Sequence, residues 1–195
     1  MKKVFVGILL VTVLLSFATV YAEIVNEIIS AGVIRFHIIA ASESEEDNRI
    51  KLDVRDYVSE HIKDTELVAY SREYVKECER LANVRLEETG TGYKAKATFE
   101  KVYIPKKSYK NITLPSGKYN AIRLVLGNGE GENWWCVAYP PLCFTEEVGG
   151  ILSQDGEKKL KNELPEDIYG MISGDCEYRF FIVDLIGNIS NKLSE

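Results

Sequence analysis

The chain reads as an α+β protein: a single compact domain with an N-terminal strand-helix-helix unit, a β-rich middle and a C-terminal helix, set behind a signal segment. Three observations carry that reading. A charge-free apolar run follows Lys2 and Lys3. The hydrophobic period then changes from two to about 3.6 and back to two. No linker, repeat or second long apolar run divides the 173 residues that remain after residue 22.

The leader comes first. Seventeen residues, Val4 to Val20, carry no charge, and as a helix they reach roughly 26 Å, somewhat short of the ~30 Å hydrocarbon core of a bilayer. That length suits a signal peptide over residues 1–22, cut after the Val20-Tyr21-Ala22 segment, with an uncleaved anchor as the alternative. Either way the domain, residues 23–195, is exported.

Ile34, Phe36, Ile38 and Ala40 alternate with Arg35, His37 and Ile39, the period of a strand. Ser42, Ser44, Glu45 and Asp47 then have the spacing of a helix N-cap. From there Ile50, Val54, Tyr57, Val58 and Ile62 recur at helical intervals as far as Lys63. A second helix is read through Leu67, Tyr70, Tyr74, Cys78, Leu81 and Val84, stopping before Gly90 and packing antiparallel to the first. Tyr93 to Phe99, Ala121 to Leu126 and Trp134 to Tyr139 read as strands, the last two joined by residues 127–133 as a hairpin or loop. Ile182, Leu185, Ile186, Ile189 and Leu193 read as a C-terminal helix, so the helices fall mostly in the N-terminal half.

Without Lys2 and Lys3, 22 basic residues stand against 30 acidic ones, a charge of −8 that argues against nucleic acid as a partner. With His37 and His61 as its histidines, and no phosphate loop, EF-hand or CxxC motif, the sequence predicts no metal and no cofactor. A hydrolase built from Ser42 or Ser44, His37 and Asp47 or Asp56 is the enzymatic alternative, but both serines are better accounted for as caps and no Gly-x-Ser-x-Gly setting surrounds them. Asp47, Lys51 and Arg55 are spaced four apart, as a salt-bridge ladder or a recognition stripe would be. Trp134 and Trp135 are adjacent, so in a strand they point to opposite faces. Cys136 and Cys143 bracket Pro140 and Pro141 at a spacing that a turn can close into a disulfide, while Cys78 is free or pairs elsewhere.

Residues Ile34–Ser44, Glu46-Asp47, Lys51–Asp56, Asn133–Cys136 and Tyr139–Cys143 together resemble the stage II sporulation protein R family, SpoIIR, over essentially the whole chain after the leader. The chain departs from the family's usual Ala-Asn-Ser-Asp-Ser at Ala41 and Glu43. The resemblance implies a non-enzymatic signalling protein of spore-forming bacteria, exported from the forespore into the space before the mother-cell membrane. Its implied partner is the membrane-embedded aspartic protease SpoIIGA, which processes the precursor of mother-cell sigma factor E. The contact candidates are Arg35, His37, Ser42, Asp47, Lys51, Arg55 and Asp56 at the first strand-helix corner, with Trp134, Trp135, Pro140 and Pro141 as a second group. A secreted hydrolase or a wall-binding module is the alternative function.

Overall fold

The computed structural model describes residues 2–62, 71–109, 112–140 and 154–174. Pro141, Cys143, Leu67, Tyr70 and the helix expected around residues 182–193 lie outside them. Helix α1, Lys2–Gly32, starts in the leader and continues unbroken through Ala22. The chain enters strand β1, Ile34–Ile39, turns a polar corner, and forms helices α2, Glu45–Ile62, and α3, Arg72–Thr89. Strand β2, Ala95–Ile104, a small hairpin of β3, Lys107–Tyr109, and β4, Ile112–Leu114, and strand β5, Gly117–Leu126, follow. Strand β6 is Asn133–Tyr139. Two short helices, α4, Gln154–Glu163, and α5, Glu166–Ile172, complete the described chain.

Local chemistry sets these boundaries. Ser44 caps α2, its Oγ accepting from Asp47 N at 3.1 Å. Ser71 does the same for α3 through Tyr74 N at 3.0 Å, and Gly90, at φ 72°, ends that helix in the left-handed conformation glycine adopts without strain. α2 and α3 lie side by side, tied by a two-pronged ion pair from Arg85 to Asp53 at 2.8 and 2.9 Å.

The main sheet has the order β2-β5-β1-β6, with β1 parallel to β5 and antiparallel to β6. Of the two expected forms of the β5–β6 connection, hairpin or loop, the structure has the loop: β1 lies between the two strands, so residues 127–132 cross over its end. Both edges of β1 are occupied and all six of its residues are buried, which explains a strand that is apolar on one face yet carries no exposed residue on the other. Phe36 and Ile38 lie beside Ile122 and Leu124 on the face covered by α2, as the position of Arg55 over Trp134, the partner of Ile38, shows. Val54, Val58, Cys78, Leu81, Ala82 and Leu86 close that layer. The longer helices, α1 to α3, fall in the N-terminal half as expected, and the shorter α4 and α5 join them near the end of the described chain. Leu160, Leu164, Ile168 and Ile172 of the α4–α5 region are buried at four-residue intervals, and Leu164 packs against Gly32 at the end of α1.

Candidate functional site

The corner after β1 and the glycine-rich loop after β5 form one unit at the end of the sheet where β1 and β5 finish. Ala40 N donates to Glu132 O at 3.1 Å, Gly131 N to Ala40 O at 3.0 Å and Glu130 N to Ala41 O at 3.3 Å, so the loop extends the pairing of the sheet along the corner. Glycine is required here by space. A Cβ on Gly131 would overlap the Ser42 carbonyl oxygen, and one on Gly127, whose φ is 53°, would meet Ala41 Cβ at 2.9 Å.

Asp47 sits at the centre of the corner. Its carboxylate accepts from the Ser42 hydroxyl and from Tyr93 OH, the latter at 2.7 Å, and these bonds, Ser42's first, hold its pKa below the usual carboxylate value. Burial, with Asp47 as the next cause, pushes the Tyr93 hydroxyl well above its ordinary value. Lys51 turns inward and is only 3 % exposed. Its ammonium donates to Asn48 Oδ1 at 2.9 Å and Glu132 O at 3.1 Å, with Glu132 Oε2 at 3.7 Å, so it fastens the loop to α2. Desolvation lowers its pKa and Glu132 partly offsets that.

The expected ladder Asp47–Lys51–Arg55 is therefore not formed. Each member has a different partner: Ser42 and Tyr93 for Asp47, Glu132 for Lys51, and Asp56 Oδ1 for Arg55, at 2.6 Å. The reason is burial of Lys51, which directs its ammonium toward the crossing loop rather than along the helix. Arg55 also lies over the Trp134 ring at 5.1 Å.

Trp134 and Trp135 point to opposite faces, as adjacent strand residues must, and both are half-buried. Trp135 stacks on His37 with ring centroids 3.5 Å apart. His37 Nε2 donates to Asn133 Oδ1 at 2.6 Å, while burial pulls the imidazole pKa down to about 4, against the raising effect of that bond. His37 and Ser42 are thus engaged with different partners, and the Ser42–His37–Asp47 relay of a hydrolase is not assembled. Arg35 is fully buried, donating to Cys136 O at 2.9 Å and Tyr109 OH at 3.0 Å beneath the Tyr109 and Tyr119 rings. It ties β1 to β6 and the β3–β4 hairpin from inside. Cys78 is a buried free thiol whose pKa burial raises to about 12, and Cys136 is disulfide-bonded.

Arg35, His37 and Lys51 are contact candidates by sequence alone. The structure buries all three and leaves Ser42, Asp47, Arg55, Asp56, Trp134 and Trp135 at least partly accessible. It also adds Tyr93, Gly131 and Glu132 to the site, for which the glycine-alternating run is the signal in the sequence, and gives Asn133 of the Asn133–Cys136 motif a role as the partner of His37.

The family model described as stage II sporulation protein R matches residues 30–148, a span that includes β1, the corner, α2 and the crossing loop. The chain belongs to the stage II sporulation protein R family. It is 31% identical over 186 residues to stage II sporulation protein R of Bacillus subtilis (strain 168), covering 83% of each chain. No solved structure matches at a significant level. Within the SpoIIR chain, the matched residues contain the entire corner-and-loop unit, whereas α4 and α5 lie beyond them.

Proposed function

We propose that this SpoIIR chain is exported from the forespore and activates the membrane-embedded aspartic protease SpoIIGA, which then processes the precursor of mother-cell sigma factor E. The observation that carries the reading is the family match across residues 30–148. The corner-and-loop unit supports it as a contact surface, because its backbone is fixed by three hydrogen bonds between corner and loop and by Lys51 before any partner arrives. Ser42, Asp47, Arg55 and Asp56 present the contact groups there, with the half-buried Trp134 and Trp135 as the second group, while Pro140 is buried and Pro141 lies outside the described residues. Arg35, His37 and Lys51 hold that surface from below. A Cys136–Cys143 disulfide belongs to the same proposal as the closure of the Pro140-Pro141 turn.

The physical mechanism is a population shift. A binding protein turns a protease on only by binding its active arrangement more tightly than its inactive one, so the contacts must differ between the two states. An arginine desolvated at such a contact commonly contributes about 2 kcal/mol or more, over tenfold in binding. The same Arg55 contributes on the order of 1 kcal/mol or less to folding through Trp134 and Asp56.

A deletion strain complemented with the wild-type chain or with Arg55→Ala tests both levels. Sigma-precursor cleavage is expected to fail in the deletion strain, to return with wild type, and to fall about tenfold or more with Arg55→Ala at equal exported abundance. Normal cleavage in the deletion strain overturns the function. Full rescue by Arg55→Ala moves the contact surface to Trp134, Trp135 and the turn after them.

A further inference from the structure

We propose that the second half of β2 is a docking edge, at which an extended acidic segment of a partner protein adds to the four-stranded sheet as a further strand. β2 is the terminal strand of the order β2-β5-β1-β6, so among the described residues it has a strand neighbour, β5, on one side only. Its outward backbone groups are those of the odd-numbered residues, as the bonds of Ala95 and Ala97 to α3 show. Ala95 N donates to Asn83 Oδ1 at 2.9 Å, Asn83 Nδ2 to Ala95 O at 3.0 Å, and Ala97 N to Glu79 Oε2 at 2.8 Å. Side chains of α3 thus close the edge where β2 begins. The closure stops there. Among the described residues no hydrogen bond reaches the outward N–H and C=O groups of Phe99 or Lys101. Phe99 is also 43% exposed, and with Leu52 it is one of the two large apolar side chains that stand in solvent outside α1 among the described residues.

Charge around the edge selects the occupant. Between residues 94 and 107 the sequence holds five lysines and one glutamate, in a chain of net charge −6. Glu100, the glutamate, is engaged within its own sheet by Arg123 at 3.3 Å and by the Thr98 hydroxyl at 2.9 Å. Lys96, Lys101 and Lys107 are exposed, and the exposed Lys118, across from Tyr103 on β5, widens the basic margin. One antiparallel strand can pair with both groups of Phe99 and both of Lys101 at once. An acidic residue opposite Lys101 and an apolar one opposite Phe99 complete the match.

A second copy of this chain does not fit the same edge. Outward groups must meet outward groups, which leaves few two-fold registers. Setting Phe99 against Lys101 brings Glu100 onto its own counterpart, and setting Lys101 against itself opposes two ammonium groups. Setting Phe99 against itself drives Lys101 onto Ala97, whose N–H Glu79 already holds. β2 lies at the opposite edge of the sheet from β6 and its tryptophans, so the docking edge is independent of SpoIIGA activation through the corner.

Amide NMR on the isotope-labelled exported protein tests this. The probe is acetyl-Glu-Val-Glu-Thr-Val-Thr-amide, which in antiparallel register sets a glutamate against Lys101 and a valine against Phe99; the control peptide has lysines in place of the glutamates. The acidic peptide is expected to shift the Phe99 and Lys101 amides saturably and to slow their exchange with water. The lysine peptide should bind about tenfold or more weakly, and Lys101→Glu should reverse that preference. Lys101→Pro removes one outward N–H at a site where an edge strand tolerates proline, and it should abolish binding of both peptides. Unmoved Phe99 and Lys101 amides overturn the docking edge. Equal binding of the two peptides overturns the acidic partner, and concentration-dependent shifts of the same amides without peptide assign the edge to a second copy and overturn the proposal as well.

Discussion

His37 shows how one buried side chain is converted from a surface candidate into a pH-dependent support. Its imidazole stacks on Trp135 and its pKa falls from 6.5 to about 4, chiefly through burial. Between those values the unfolded chain binds a proton that the folded chain does not, so stability is full above pH 6.5 and is lost as the pH falls toward 4. The loss between pH 7 and 4.5 is expected to be on the order of 2 to 3 kcal/mol. His37→Gln keeps a donor for Asn133 without the titration, and its urea midpoint should change less over that range than the wild-type midpoint. Equal acid sensitivity in the two proteins over that range would assign the effect to groups other than His37, and Asp47, whose lowered pKa acts only in a more acidic window, is not among them. The sequence located His37 on the strand face, but its burial depends on Trp135, 98 positions away.

At the scale of elements, the crossing loop matters more than either strand it joins. Gly131 lies against the Ser42 carbonyl, a backbone contact that no rotamer change relieves. Gly131→Ala should separate loop from corner, weaken the Ala40–Glu132 pairing and destabilise the domain by about 1–3 kcal/mol in urea unfolding. Asn128→Ala, at an exposed position of the same loop, should stay within about 0.5 kcal/mol. Similar losses for both variants would indicate that the loop is sensitive along its length rather than at its contact with Ser42. The elements themselves were largely legible, because caps and periods are local: Ser44 starts α2 and Gly90 ends α3 where the sequence places them. The choice between hairpin and loop after β5 is not local, because two strands in sequence order need not pair when a third apolar strand can enter between them.

For the whole molecule, the last turns of α1 are part of the domain rather than a tether. Val25 and Ile29 are buried, and each such side chain contributes roughly 1.5–3 kcal/mol, a large share of the ~5–15 kcal/mol that stabilises a typical domain. A chain starting at Glu23 should therefore unfold cooperatively, while one starting at Val33 should lose its cooperative thermal transition by circular dichroism. An unchanged midpoint in the shorter chain would remove α1 from the folded unit.

The sequence by itself determined the apolar leader, the α+β class, the strand-corner-helix unit and the resemblance that the family match bears out, since these reside in short-range periodicity, capping and contiguous motifs. Only the tertiary structure decided which charged residues face inward. Lys51 and Arg35 carry the same signals as surface cations in sequence. They are buried because Glu132 and the Cys136 carbonyl, 81 and 101 residues away, approach from the crossing loop and from β6, whose positions no local pattern specifies. Desolvating a cation is costly unless such acceptors are already in place, and their placement is a property of the assembled sheet.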